Sequence, residues 1–385
     1  VRNIRSVAIV CCLALFIAVD VTGAMDTTAP AAGLNGRAGS PVRLTRRGVA
    51  DPFVFSHGRF HYVFGTSPGN HVLRTQSFRQ DDFKWFKLRF DFGADRDRVH
   101  GVWAFRVYRH TDGSFHGYAG VHYGFFRTMV GHFVPAAGEA WGEGKPILSW
   151  KLDGILVGDL KLGQFAYDPG VVRDNDGTLY LIYCSGSPNE VTAVDIHVKV
   201  RRMLDPATLD LSFEPRAILS PGGFRSEDRN PGFVQIVEAP HLHRIGGKWL
   251  MLYSVGDFSG NNYKLGVAWS DSLIPPSGRT YEKPLIPDPR NLWKNETTGT
   301  EVRYLLQSEK PDWPNYVGDR VFGPGVGTLV ELGGAASLVF HGRGLPGTDG
   351  KTGERDVWIL PVRVDTRAGT PVGEWITPLL PEKDD

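Results

Sequence analysis

The chain has 385 residues, 41% hydrophobic and 22% charged, which suffices for a core in one large domain or two ordinary ones and excludes a disordered protein. Lys plus Arg (43) balances Asp plus Glu (42), and no basic stripe interleaves with aromatics, so the composition argues against nucleic acid as a partner. The 47 Gly, 26 Pro, 10 Trp, 12 Tyr and 22 Phe suggest many short strands, tight turns and rings suited to stacking on sugars.

In chain order, Arg2 and Arg5 precede an apolar run from Val7 to Val19, with small residues near Gly23 and Ala24. That order predicts a secretory signal peptide over 1–24 and a secreted or periplasmic protein with no membrane span after cleavage. Residues 25–48, rich in Ala, Gly, Thr and Arg, read as a linker or N-terminal arm before one catalytic domain over 49–385. With Cys11 and Cys12 inside the apolar run, only Cys184 remains in the mature chain, so no intrachain disulfide is expected. Its setting, LYLIYCS, reads as a packed thiol.

Five hairpins follow. They are DPFVFSHGRFHYVFG from Asp51, WAFRVYRHTDGSFHGYAG from Trp103, DPGVVRDNDGTLYLIYC from Asp168, EAPHLHRIGGKWLMLYS from Glu238 and GVGTLVELGGAASLVFHG from Gly325. Each has two apolar runs around a turn, at Gly58, Gly113, Gly177, Gly246-Gly247 or Gly333-Gly334. This internal repeat predicts an all-β fold, a five-bladed β-propeller.

In a propeller the first strands of all blades run the same way around one axis, so residues at one repeat phase form a ring. Asp51 and Asp168 share a phase, each before a proline. Glu238 stands one residue further from its Pro240, at the phase of Trp103. Three of five blades therefore aim an acid at a common cavity. Converging carboxyl groups suit glycoside hydrolysis, where one protonates the leaving oxygen and another activates water or attacks the sugar. Trp103, Phe105, Tyr167, Trp249 and Phe322 are candidates for sugar-facing surfaces.

On ADPFV before FHYVFGTS, YDPGVVRDNDGTLYLIYCSG, VEAPHLHRIGGKWLMLYS and GPGVGTLV leading to LVFHGRG, the chain resembles glycoside hydrolase family 43, five-bladed propeller glycosidases acting on arabinosides, xylosides and related sugars. The resemblance spans about Ala50 to His341 and implies a carbohydrate substrate, an oligo- or polysaccharide. It makes Asp51 the general base that activates water, Glu238 the general acid, and Asp168 a third carboxylate that orients the acid and favours its protonated form. It implies inversion of configuration and no cofactor for the chemistry. His341 matches a last-blade histidine near a bound calcium or a water cluster, which implies a structural Ca2+ in the central channel. Arg320 and Arg343 are candidates to bond sugar hydroxyls, and His341 is also a candidate substrate-binding residue. Two positions depart from the family pattern: Phe105 replaces a proline, and Val326 stands where a histidine often follows the glycine.

Other classes fit less of the sequence. A non-catalytic carbohydrate-binding propeller would not need all three acids. The fructan-cleaving propellers would carry motifs that do not occur here in order. A phosphorolytic propeller would need basic residues for phosphate, for which FRSEDRN offers only Arg225 and Arg229. Asn295 begins an N-glycosylation pattern, and GLPGTDGKTGERD over 344–356 is a Gly-rich polar loop rather than a phosphate cradle.

Overall fold

Alternating apolar residues flanked by glycine turns form antiparallel hairpins, and these assemble into five blades, beside which the described residues form two short two-stranded sheets. The structure is a computed structural model that describes residues 39–46, 48–124, 127–158, 165–186, 195–230, 234–287, 299–345 and 354–381. The expected signal peptide and Asn295 lie outside the described residues, as do the side chains of Arg225 and Arg229. Among the described residues no helix is long and apolar enough to cross a membrane.

Blade 1 is built from Ala50–His57, Phe60–Thr66, His71–Thr75 and Lys84–Lys87. Blade 2 comprises Gly101–Arg109, Phe115–His122, Thr128–Pro135 and Ser149–Val157, with Arg89–Asp91 added in parallel at its edge. Blade 3 has Tyr167–Arg173, Leu179–Ser185 and His197–Asp205, the last paired with two short edge strands. Blade 4 has Val237–Ile245, Lys248–Val255 and Lys264–Ser270. Blade 5 has Val321–Leu332, Ala335–Gly344 and Asp356–Val364. The turns at Gly246-Gly247 and Gly333-Gly334 have positive φ at both residues, as two-residue hairpins with the right twist require.

The outermost strand of blade 5 is Val42–Arg43, paired with Trp358 and Ile359. Arg43 and Thr45 both donate to the buried Asp356 carboxylate, at 2.8 Å (Nε) and 3.3 Å. The described part of the expected arm is therefore a working strand of the last blade, and the boundary expected at 48/49 does not separate it from the propeller. Backbone pairing was invisible to composition, because a two-residue strand carries no periodicity.

The core lies between blades. Phe55, Tyr62 and Phe64 of blade 1 pack on Phe105, Val121, Phe133 and Trp150 of blade 2. Tyr118 and Val130 meet Leu181 and Tyr183 across the next interface, and Ile182 and Val198 meet Met251 and Ala268 across the third. Leu252 and Leu265 pack on Leu338 and Phe340. Val330 and Val339 close the circle on Val63 and Leu73. The five first strands touch one another in the same cyclic order, so they surround one axis.

Each first strand carries a bulge at the same place, between Ala50 and Phe53, Trp103 and Arg106, Tyr167 and Gly170, Glu238 and His241, and Gly325 and Thr328. The first residue of each bulge is left-handed: Asp51 (φ 54°), Ala104 (48°), Asp168 (49°), Ala239 (53°) and Val326 (47°). A β-branched residue pays most for this conformation, so Val326 is a strained member of the ring. The bulge also explains the prolines at 52, 169 and 240, since a residue outside the ladder needs no N–H there.

Candidate active site

The bulges turn one end of every first strand toward the axis and leave the left-handed residue's N–H outside its own ladder. Side chains from the middle strand of the preceding blade take up these donors. Asp51 N–H donates to His341 Nδ1 (2.9 Å), Ala104 N–H to Thr66 Oγ1 (2.8 Å) and Val326 N–H to Ser254 Oγ (2.8 Å). Ala239 N–H donates instead to Asp168 Oδ2 (3.1 Å). The ring is thus stitched blade to blade at the level of the acids.

Asp51 is held as a carboxylate. Thr66 Oγ1 has one lone pair occupied by Ala104 N–H, so its own proton points at Asp51 Oδ2, 2.7 Å away. Arg355 donates to Oδ1 at 3.2 Å. Burial alone would raise the Asp51 carboxyl, but Arg355 and its hydrogen-bond donors outweigh it and hold the group well below the usual carboxylate range.

Asp168 and Glu238 sit in a different environment. Glu238 is 9% exposed and accepts hydrogen bonds from Tyr167 Oη (2.9 Å, to Oε2) and Tyr263 Oη (2.7 Å, to Oε1). Burial, followed by the charges of Glu238 and Asp51, pushes Asp168 well above its ordinary range. Two buried carboxyl groups whose charges repel cannot both ionise readily, so the pair retains a proton. The Tyr263 phenol feels all three acids, and they raise it after burial has done so.

The other sequence-predicted residues divide. Trp103, at 38% exposure, stacks on His122 with ring centroids 4.1 Å apart and offers an open face beside the acids. Tyr167 reaches the site through its hydroxyl. Phe322 is half-buried, and Arg320 lies exposed. Arg343 donates to the Phe258 (2.6 Å) and Gly260 (3.4 Å) carbonyls, bracing the loop beside Arg355.

Three expectations are corrected. Phe105 is 1% exposed among Phe64, Phe133 and Trp150, because it follows the left-handed Ala104 and faces the blade interface, so it is core rather than sugar platform. Trp249 is likewise buried in the core between blades 3 and 4. His341 is fully buried, stacked on Tyr263 (5.6 Å), and serves the Asp51 backbone instead of touching a sugar.

The same histidine bears on the calcium expectation. Burial lowers its pKa to about 4, so it is neutral, and its Nδ1 accepts the Asp51 N–H. Nε2 then carries the proton and presents a donor, the opposite of what a cation needs. Among the described residues no group of three or more His, Cys, Asp or Glu could hold a metal ion. His341 does not fit a metal ligand in this arrangement, and no step below passes through a metal.

Sequence reading missed Thr66, Arg355 and Tyr263. Thr66 had a signal: Thr66, Cys184, Ser254 and His341 are the middle-strand residues paired opposite the bulge entrance. Arg355 had none, since it ends the Gly-rich 344–356 loop.

Comparison with curated protein sequences gives no match. Solved structures with the same fold include an α-L-arabinofuranosidase from Lactobacillus brevis (18% identity, TM-score 0.60), covering 87% of this chain and 94% of that one. An α-L-arabinanase from Cellvibrio cellulosa complexed with arabinohexaose is similar at 19% identity and TM-score 0.58, over 86% and 96%. A xylan β-1,4-xylosidase from Bacillus halodurans C-125 is similar at 16% identity and TM-score 0.57, over 88% of this chain and 56% of that one. At these identities the likeness establishes the propeller. The family model for glycosyl hydrolases family 43 matches residues 49–366, a span that contains all three acids. The chain therefore belongs to glycosyl hydrolases family 43 and is a five-bladed propeller hydrolase of O-glycosyl bonds.

Proposed function

We propose that the protein is an exported, inverting glycosidase of arabinoside- or xyloside-type linkages in oligo- or polysaccharides. Asp51 is the general base, Glu238 the general acid, and Asp168 the carboxylate that positions Glu238 and its proton. The observation that carries this reading is the contrast in proton affinity. Asp51 is held ionised by Arg355 and Thr66, while the buried Asp168–Glu238 pair keeps a proton to give.

Asp51 takes a proton from water as the water attacks the anomeric carbon. Glu238 gives its proton to the leaving oxygen as the C–O bond breaks, and Tyr167 and Tyr263 hold its two oxygens in place. Trp103 supplies an apolar face for a sugar ring. The arabinan- and xylan-directed names of the similar structures support the substrate class, and the apolar run behind Arg2 and Arg5 supports export.

A screen of aryl α-L-arabinofuranosides and β-D-xylosides, followed by proton NMR of the earliest product, tests the reading. The expected first product has inverted configuration. A first product of retained configuration would remove the role given to Asp51.

A further inference from the structure

We propose that Gly325 and Tyr263 act as one positioning unit: the fifth blade puts no side chain beside the acid at Gly325, and the Tyr263 phenol takes that place and sets the aim and proton affinity of Glu238. The inference rests on the reading of Glu238 as the acid.

The residues just before the left-handed ones in the five first strands are Ala50, Trp103, Tyr167, Glu238 and Gly325. Blades 3 and 5 flank blade 4 in the cycle, so the neighbours of the acid at this level are a tyrosine and a glycine. Tyr167 donates to Glu238 Oε2 at 2.9 Å. A Cβ built on Gly325 would overlap Cδ1 and Cε1 of Tyr263, the residue before the third strand of blade 4, and the Tyr263 hydroxyl donates to Glu238 Oε1 at 2.7 Å. Gly325 has no left-handed φ, so space and not backbone demands the glycine.

The phenol is wedged where it stands. Tyr263 is 1% exposed and packs with Ala239 and Val326, the left-handed residues of blades 4 and 5. Its ring also stacks on His341, with centroids 5.6 Å apart, and His341 Nδ1 accepts the Asp51 N–H at 2.9 Å. The side chain that steadies the acid therefore rests on the one that steadies the strand of the base. A donor on a carboxyl group favours its ionised form, so the Tyr263 hydroxyl eases loss of the Glu238 proton to the leaving oxygen while fixing the direction in which it leaves.

The test measures kcat and KM across pH for Tyr263→Phe, Gly325→Ala, the double variant and Glu238→Gln, on 4-nitrophenyl glycosides and on unactivated oligosaccharides of the same sugar. Tyr263→Phe should lose about 10- to 100-fold in kcat on the oligosaccharide, the scale of a hydrogen bond to a charged group, and less on the aryl glycoside, whose leaving group needs little proton assistance. KM should stay within about threefold, because no sugar contact is removed. The alkaline limb should move to higher pH, since a carboxyl group without that donor holds its proton more tightly. Gly325→Ala keeps every hydrogen-bonding group and pushes the ring aside, so it should reproduce both the substrate-dependent loss and the shift. The double variant should move the limb no further than Tyr263→Phe alone, because both changes act through one hydroxyl.

If Gly325→Ala does not fold, it should cost no further stability in a Tyr263→Ala background, where the ring is gone. A further fall in melting temperature there, or limb shifts that add in the double variant, would overturn the link between Gly325 and Tyr263. Equal losses on both substrates with an unmoved limb for Tyr263→Phe, while Glu238→Gln discriminates between them, would overturn the role of Tyr263. Equal losses for Glu238→Gln as well would overturn the acid assignment beneath it.

Discussion

Asp51 and Asp168 share a strand phase, a left-handed backbone and a following proline, yet their side chains meet opposite surroundings. Asp51 faces a guanidinium and a hydroxyl that donates to it. Asp168 faces Glu238 within a poorly hydrated wall and takes up charge reluctantly. Repeat position places the two carboxyl groups, while residues from neighbouring blades and loops decide which is a base and which belongs to a proton-holding pair. Environments that push two acids apart in proton affinity are what acid–base catalysis at one pH requires.

The largest break of this contrast is Asp51→Asn. It should lower kcat by at least about 10³-fold on activated and natural substrates alike, because water must be activated whatever leaves. Steady-state rates on both substrate types check this. Arg355→Met should cost less, about 10- to 100-fold at neutral pH by the same scale of general-base effects. Loss of the cation leaves burial in charge, Asp51 gains a proton more readily, and the acidic limb of the pH profile moves up. An unmoved acidic limb would mean that Arg355 does not set the ionisation of Asp51.

Asp168→Asn tests the other side. Removing a negative neighbour lets Glu238 lose its proton more easily, so the alkaline limb should move to lower pH and the rate fall.

Glu301 sharpens the comparison as a buried acid outside the site. Fully buried, it accepts from Ser226 Oγ at 2.7 Å and from Val302 N–H at 2.7 Å, yet burial wins and pushes it up to about 8. Its folded-state value lies above the unfolded value of 4.5, so its contribution to stability is complete below that pH and is lost as pH rises toward 8. The slope is at most about 1.4 kcal/mol per pH unit. Glu301→Gln should flatten the fall in melting temperature across this window, seen by thermal denaturation at several pH values, while leaving the leaving-group dependence of the rate alone.

The smallest expected effect is that of a strong chelator. Because His341 presents a donor from Nε2, chelation should leave the melting temperature unchanged, and a clear fall would restore a bound cation to the channel.

Much of this arrangement could be read in the chain because its signals are local. Glycine pairs and two-residue alternation gave the hairpins, and equal phase put Asp51, Asp168 and Glu238 at one end of the blades. Phe105 was misread because a bulge intervenes: one extra residue reverses the face on which the next side chain falls, and Phe105 turns into the core while Trp103 stays open. Trp249 shared its fate for lack of any sequence cue separating a buried ring from a platform. Tyr263 and Arg355 could not be found by period, because each reaches the acids from a loop.

The central claim is that the ring holds its carboxyl groups in two protonation states at one pH. Carbon NMR of protein labelled at the Asp and Glu carboxyl carbons, assigned with Asp51→Asn, Asp168→Asn and Glu238→Gln, measures this directly. The Asp51 resonance should stay at its ionised position from about pH 4 to 8, while the Asp168–Glu238 pair still binds one proton well above the usual carboxylate range of about 3.9–4.3. An Asp51 that titrates in or above that range, or a pair fully ionised by about pH 6, would contradict it.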